Sequence, residues 1–253
     1  MSGWKTKALQ TKANRKYQPI LVLFCCYEIK ILKKLEGDHM RLKHIPEAEE
    51  IIASHPTLIT TNGEEWLGKW QSRFPKEQPL HLEVGSGKGR FIIEMAKRYP
   101  EINFIWMELQ TSAIFKLLEK QLEEKLPNLQ LLNGNAKEIT DYFAPEEIDK
   151  IMLTFSDPWP KTKHAKRRFT HERFLTRFEA ILKDGGEFYL KTDNRELFEF
   201  SLVNMNQYGM QFEEIILDLH NSDQAEDNIM TEFEEKFSNR GERIHQIRAR
   251  FNQ

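Results

Sequence analysis

Hydrophobic positions along this chain follow two rhythms. Short apolar or alternating runs fall at 80–84, 103–108, 129–133, 150–155, 186–191, 211–219 and 243–250. Stretches with a helical period lie between them, near 89–99, 111–125, 137–143, 170–183, 194–207 and 231–238. The first kind of run reads as strand and the second as helix. Their alternation predicts an α/β fold, a doubly wound, mainly parallel, Rossmann-like sheet of seven strands. Only a short helix separates the last two strands, which predicts an antiparallel edge hairpin. From Pro46 to Phe74 the apolar residues Ile51, Ile52, Trp66, Leu67 and Trp70 predict a helical preamble to the sheet. No internal repeat or low-complexity linker interrupts the pattern, so residues 40–253 read as one domain.

The first strand runs into H-L-E-V-G-S-G-K-G-R, residues His81 to Arg90. Glu83 closes the strand, and Gly85, Gly87 and Gly89 alternate through the turn before a helix begins. Such a turn is a cofactor cradle, because only glycine lets backbone come that close to a ligand. A phosphate-gripping P-loop needs G-x-x-x-x-G-K-[ST], and Lys88 is followed by glycine instead. A dinucleotide fingerprint needs G-x-G-x-x-G/A, and its third position falls on the bulky Arg90. The remaining form, E-x-G-x-G-x-G, resembles motif I of the class I S-adenosylmethionine methyltransferases; the resemblance implies a cationic sulfonium cofactor, which a strand-end carboxylate would welcome where it would repel a pyrophosphate.

Other polar residues stand at strand ends. Glu108 lies nineteen residues beyond Gly89 at the tip of the second strand, where an acidic group can accept hydrogen bonds from ribose hydroxyls. Asn135, in the loop after the third strand, reads as an adenine contact or as a plain turn residue. Asp193, after the fifth strand, reads as a site carboxylate or as a helix N-cap. Ligands of doubly wound sheets bind beyond the carboxyl ends of the strands, so the shared placement of these groups points to one site.

The fourth strand ends in Ser156-Asp157-Pro158-Trp159-Pro160-Lys161. Two prolines around a tryptophan make a stiff loop that holds Asp157 at the sheet edge. From Lys161 to Arg168 five of eight residues are Lys or Arg. In a chain of net charge −2, that concentration beside a cofactor turn predicts contact with RNA or DNA phosphates. Thr231 to Glu234, T-E-F-E, has the form of a capping box.

The 253 residues suffice for one α/β domain. The longest apolar run, Ile20 to Cys26, is too short to span a bilayer. Scattered histidines and two adjacent cysteines give no metal-ligand spacing, so no metal is expected. Residues 1–39 carry eight Lys or Arg against three Asp or Glu, leaving −7 on the remaining 214. The cysteine-free remainder suits a reducing cytoplasm. No small-residue cleavage site follows the apolar run, which excludes a secretory signal of ordinary form. Met40 begins M-R-L-K-H-I-P, and Leu35-Glu36-Gly37 is encodable as TTG-GAG-GGN, containing the ribosome-binding sequence GGAGG. Residues 1–39 therefore read as a basic extension: a leader from a mis-assigned start, a disordered segment or a genuine arm.

Taken in order and spacing, E-V-G-S-G-K-G-R-F, S-D-P-W-P-K-x-x-H-x-K-R-R, K-T-D and T-E-F-E-x-K-F resemble the bacterial tRNA (guanine-N7)-methyltransferases, the TrmB family, from about Met40 to the end. The resemblance implies a class I methyltransferase fold, S-adenosylmethionine as cofactor, tRNA as partner, and methylation of a guanine N7 in the variable loop. It implies that Glu83, Gly85, Gly87, Gly89, Glu108, Asn135 and Asp157 form the cofactor site, with Asp157 catalytic. It implies that Lys161, Asp193, Thr231, Glu232, Phe233 and Glu234 border the substrate guanine. Lys163, His164, Lys166, Arg167 and Arg168 would touch RNA. A cytoplasmic monomer or homodimer is expected.

Three other readings compete. An adenine amino-methyltransferase would carry [DN]-P-P-[FYW], and Trp159 stands where the second proline belongs. A non-enzymatic RNA-binding protein would not need the glycine turn and its carboxylates. A nicotinamide dehydrogenase is opposed by Arg90.

Overall fold

The computed structural model describes residues 48–85 and 87–252. Expectations about residues 1–39 lie outside that range. Among the described residues eight strands form one sheet: β1 Ile59–Thr60, β2 Leu80–Val84, β3 Asn103–Glu108, β4 Leu129–Asn133, β5 Ile148–Thr154, β6 Leu182–Thr192, β7 Gln211–Ile216 and β8 His245–Arg250. Their order is β1-β4-β3-β2-β5-β6-β8-β7. Pairing is parallel from β1 through β6 and antiparallel at β6–β8 and β8–β7. All seven expected strands are present with the antiparallel edge pair. The eighth, β1, adds two residues beside Leu131 and Leu132 of β4.

The preamble differs from expectation. Helix α1 covers Ala48–Ala53, and the chain then forms β1 and two 3-10 turns, Gly63–Trp66 and Trp70–Arg73. Pro56 closes off continued helix, and Gly68 takes a left-handed φ of 68° between Trp66 and Trp70. Tertiary partners then hold the irregular backbone. Glu147 accepts from the amides of Gly68 and Trp70 at 3.1 Å each, and the Trp70 indole donates to the Tyr142 carbonyl at 2.8 Å.

Helices cover both faces. On one side α2 (Arg90–Arg98) and α3 (Thr111–Glu124) pack Ile92, Ile114 and Leu117 against Phe104, Trp106 and Leu131. On the other, α5 (Glu172–Ile181) and α6 (Arg195–Tyr208), with the single turn α4 (Ile139–Tyr142), pack Leu175, Phe178 and Phe198 against Leu82, Leu153 and Phe188. Central strands are buried on both faces and therefore read as near-continuous apolar runs. Helix α7, Glu232–Ser238, lies in the β7–β8 connection.

From β2 the chain steps outward to β3 and β4, then crosses back to β5 and β6 on the other side of β2. The order reverses between β2 and β5, and the crevice outside their carboxyl ends is where such folds take ligands.

Candidate active site

The glycine turn leaves β2 at this reversal. Gly85, Gly87 and Gly89 have φ of 65°, 83° and 74°, a region that residues with a Cβ enter at a cost. Space is short as well. A Cβ on Gly87 would stand 2.6 Å from the Phe233 ring, and one on Gly89 would stand 2.5 Å from Leu117. Lys120 of α3 fixes the turn from outside, donating to the Lys88 carbonyl at 2.8 Å.

Acidic groups gather around it. Glu83, fully buried, accepts a hydrogen bond of 2.5 Å from Thr154 at the end of β5, which joins the two strands at the reversal. Glu108 accepts from the Leu109 and Gln110 amides at 2.8 and 3.0 Å. Burial pushes the Glu108 carboxyl above its usual range; these amides and that of Gly87 oppose the shift, and the nearby Asp157 charge adds to it. Glu108, Gly87 and Asp157 therefore share one neighbourhood. Asp157 itself is exposed in the loop after β5, within a backbone bent by positive φ at Phe155 (52°) and Trp159 (42°). Such φ is uncommon for non-glycine residues and costs backbone energy.

Asn135 uses its side-chain oxygen to cap a 3-10 turn, accepting from the Lys137 amide at 3.1 Å; its amide nitrogen is not committed to that bond. At β6 the cap of the following helix is not Asp193. Asn194 is the N-cap of α6, accepting from the Leu197 amide at 2.8 Å. Asp193 keeps a half-buried carboxyl that burial raises above its ordinary range.

T-E-F-E forms a full capping box at the start of α7, and the β7–β8 connection carries it back over the glycine turn. Phe233 lies on Gly87. Glu232 pairs with Lys120 at 2.7 Å, and Glu235 with Arg90 at 2.6 Å. Thr231 and Glu234 face inward. Glu234 is fully buried, 2.6 Å from Lys191, and also bonds His220 at 2.8 Å and Asn228 at 2.5 Å. Burial pushes its carboxyl up, but the Lys191 charge and these hydrogen bonds hold it below the ordinary carboxylate range. These contacts make Glu234 an internal brace of the segment.

The basic run divides in two. Lys161, Lys163, Lys166 and Arg167 are exposed on and beside a 3-10 turn, Thr162–Arg167. Arg167 lies 4.7 Å over the Trp159 ring, and His164 meets the same ring edge-on. Arg168, expected on the RNA side, turns inward: it is 8% exposed and donates to the carbonyls of Pro158 and Trp159. The sequence signal treated all five cations alike, whereas packing against Phe200 selects one for burial.

Charge pattern alone also missed Thr154, Lys120 and Lys191. Lys191 sits in K-T-D at the tip of β6, and strand alternation placed it on a face without saying what would cover it. A cavity of about 360 Å³ lies along the sheet beneath residues 224–229, floored by Lys150, Glu187 and Arg248. None of the expected site residues lines it.

A doubly wound sheet with an E-x-G-x-G-x-G turn at its reversal and an acidic tip on the next strand defines a class I methyltransferase. The cradle fits S-adenosylmethionine: three left-handed glycines leave bare backbone at the reversal, Cβ atoms added at Gly87 and Gly89 would strike Phe233 and Leu117 packed around the turn, and Glu108 stands beside Gly87. The family model described as "Putative methyltransferase" matches residues 77–247. A tRNA (guanine-N(7)-)-methyltransferase of Latilactobacillus sakei is 54% identical over 212 residues, 84% of this chain and 100% of the relative. Its counterpart in Enterococcus faecalis is 53% identical, over 84% of this chain and 99% of the relative. The chain belongs to the tRNA (guanine-N(7)-)-methyltransferase family. Among solved structures, the 16S rRNA methyltransferase KamB superposes with a TM-score of 0.55 at 13% identity, over 74% of this chain and 94% of that one. The antibiotic-resistance methyltransferase Kmr gives 0.52 at 11%, over 74% and 92%. These two likenesses concern the fold. Among the described residues no helix is long and apolar enough to cross a membrane.

Proposed function

We propose that this chain transfers the methyl group of S-adenosylmethionine to N7 of a guanine in tRNA, forming N7-methylguanine. The observation that carries the reading is identity of 54% along the whole of a relative named for that activity. The grouping of Glu83, Glu108 and Asp157 around the glycine turn supports it.

S-adenosylmethionine, when bound, supplies an electrophilic methyl group on a sulfonium. Guanine N7 is an exposed lone pair and loses no proton on attack, so the protein needs no strong general base. Its residues have two tasks, alignment and charge balance. Alignment of the reacting atoms is worth roughly 7–11 kcal/mol. Gly85, Gly87 and Gly89 admit the cofactor to the backbone. Glu108 accepts the ribose hydroxyls, Glu83 organises the turn through Thr154, and Asn135 offers its amide nitrogen to the adenine edge. Asp157 is the catalytic carboxylate. It and Asp193 accept from the N1 and N2 donors of guanine and favour the positive charge that the ring acquires. Lys161, Glu232 and Phe233 border the base, with Thr231 and Glu234 holding that segment from within. Lys163, His164, Lys166 and Arg167 meet phosphates. The target base leaves its stack to enter. A tRNA substrate puts the reaction in the cytoplasm.

The test is incubation with labelled S-adenosylmethionine and unmodified tRNA, followed by chemical cleavage at N7-methylated guanines. Label at a single cleavable guanine is expected. Label recovered as methyladenosine, or no label at all, would overturn the reading.

A further inference from the structure

Arg168 is the one Lys or Arg of the 161–168 run that does not face solvent. Lys161, Lys163, Lys166 and Arg167 are exposed, while Arg168 retains 8% of its surface. Its Nε donates to the Pro158 carbonyl at 3.0 Å and its Nη2 to the Trp159 carbonyl at 3.1 Å. Its guanidinium lies 4.3 Å over the Phe200 ring of α6. The two carbonyls it takes belong to the residues that directly follow Asp157. They lie in a segment with few backbone donors of its own: Pro158 and Pro160 lack amide hydrogens, and Trp159 sits at a φ of 42°. A planar fork of donors suits two neighbouring carbonyls as a point charge does not. Stacking on Phe200 then ties the fork to α6.

We infer that Arg168 is a positioning residue for methyl transfer, acting through the Pro158–Trp159 backbone to hold Asp157 beside the cofactor turn, and that it makes no contact with RNA. The inference rests on the methyltransferase reading above. It splits the basic run by function: the outward cations bind phosphate, and the inward one sets the geometry of the catalytic loop. A lysine at 168 preserves the charge and loses the fork.

The experiment compares wild type, Arg168→Lys, Arg168→Ala and Lys166→Ala. It reads the single-turnover methylation rate at saturating tRNA and S-adenosylmethionine, tRNA affinity across a salt series, and thermal unfolding. Misplacing the reacting groups by about 1 Å can cost on the order of 100-fold in rate. Arg168→Lys should therefore lose about 10- to 100-fold in rate with tRNA affinity and its salt slope unchanged. Lys166→Ala should show the converse, weaker binding and a slope reduced by about 0.7–1. Guanidinium ion should restore part of the lost rate in Arg168→Ala, and sodium chloride at equal ionic strength should not. If Arg168→Ala fails to fold, the lysine variant decides. A wild-type rate in Arg168→Lys, or a loss of affinity and slope like that of Lys166→Ala, overturns the inference and leaves the methyltransferase reading standing. A wild type that methylates no guanine overturns both.

Discussion

Lys191 Nζ stands 2.6 Å from Glu234 Oε2, and neither side chain reaches solvent. The pair joins the tip of β6 to the first turn of α7, so the segment that lies over the glycine turn is anchored in the sheet. Lys191 also donates to the Ile229 carbonyl at 2.8 Å and to Asn228 at 2.9 Å, which leaves the ammonium well satisfied. Taking two charges out of water is costly, and such pairs serve geometry more reliably than stability.

Breaking that pair from one side strands a buried charge. Glu234→Ala should destabilise the fold by about 3–5 kcal/mol, and Lys191→Met with Glu234→Leu by clearly less. Urea denaturation measures both. A single variant within about 1 kcal/mol of wild type would show that the ammonium finds another partner.

Two glycines with similar backbones separate strain from crowding. Gly87 has φ +83°, and a methyl group added there would meet the Phe233 ring at 2.6 Å, whereas Gly241 has φ +80° and nothing within 4 Å. Each alanine variant should lose about 1–2 kcal/mol through its backbone. Only Gly87→Ala should also lose cofactor affinity, by about tenfold or more, read by calorimetry. Equal affinities in the two variants would remove Gly87 from the cofactor site.

Burial raises the Glu108 carboxyl above its ordinary 4.5. Protonation removes the charge that favours ribose donors, so a proton competes with the ligand. Cofactor affinity should fall as pH drops through a value above 4.5, and Glu108→Gln should be weaker at neutral pH and flat across that range. A pH-independent wild type would contradict the ribose role.

His81 lies beside Lys150 on the neighbouring strand, and its ring packs edge-on against Phe104 at 5.5 Å. Burial, and then the Lys150 charge, hold its pKa down at about 4 from 6.5. The unfolded chain therefore takes up a proton before the folded one does. Stability from this residue is intact above pH 6.5 and is lost as pH falls toward 4, by about 3 kcal/mol at most. His81→Gln should flatten that limb of a stability-against-pH curve. An unchanged limb would assign acid lability to other groups.

Asp157→Ala should abolish methyl transfer with the unfolding midpoint nearly unchanged, because the side chain is exposed. Replacing Lys163, Lys166 and Arg167 together should reduce the salt slope of tRNA binding by roughly 2–3 and leave cofactor affinity alone. An active Asp157→Ala enzyme would take that carboxylate out of the mechanism.

The order of strands and helices, the three-glycine turn, the acidic tip at Glu108 and the basic run were all legible in the chain. Each is encoded locally, by a period of two or 3.6, by residues that alone tolerate a left-handed turn, or by a density of like charge. The preamble was not, because Gly68 and Pro56 break its helical period and the backbone is then held by Glu147, which is far away in sequence. The fate of individual polar side chains was also hidden. Whether Asp193 or Asn194 would cap α6, whether Glu234 would face a ligand or Lys191, and whether Arg168 would meet RNA or the Pro158 carbonyl depend on what packs opposite each one. Local pattern decides which groups stand near a strand end; burial and partners across the fold choose their direction, since a polar group out of water must find its complement wherever the tertiary structure has placed it.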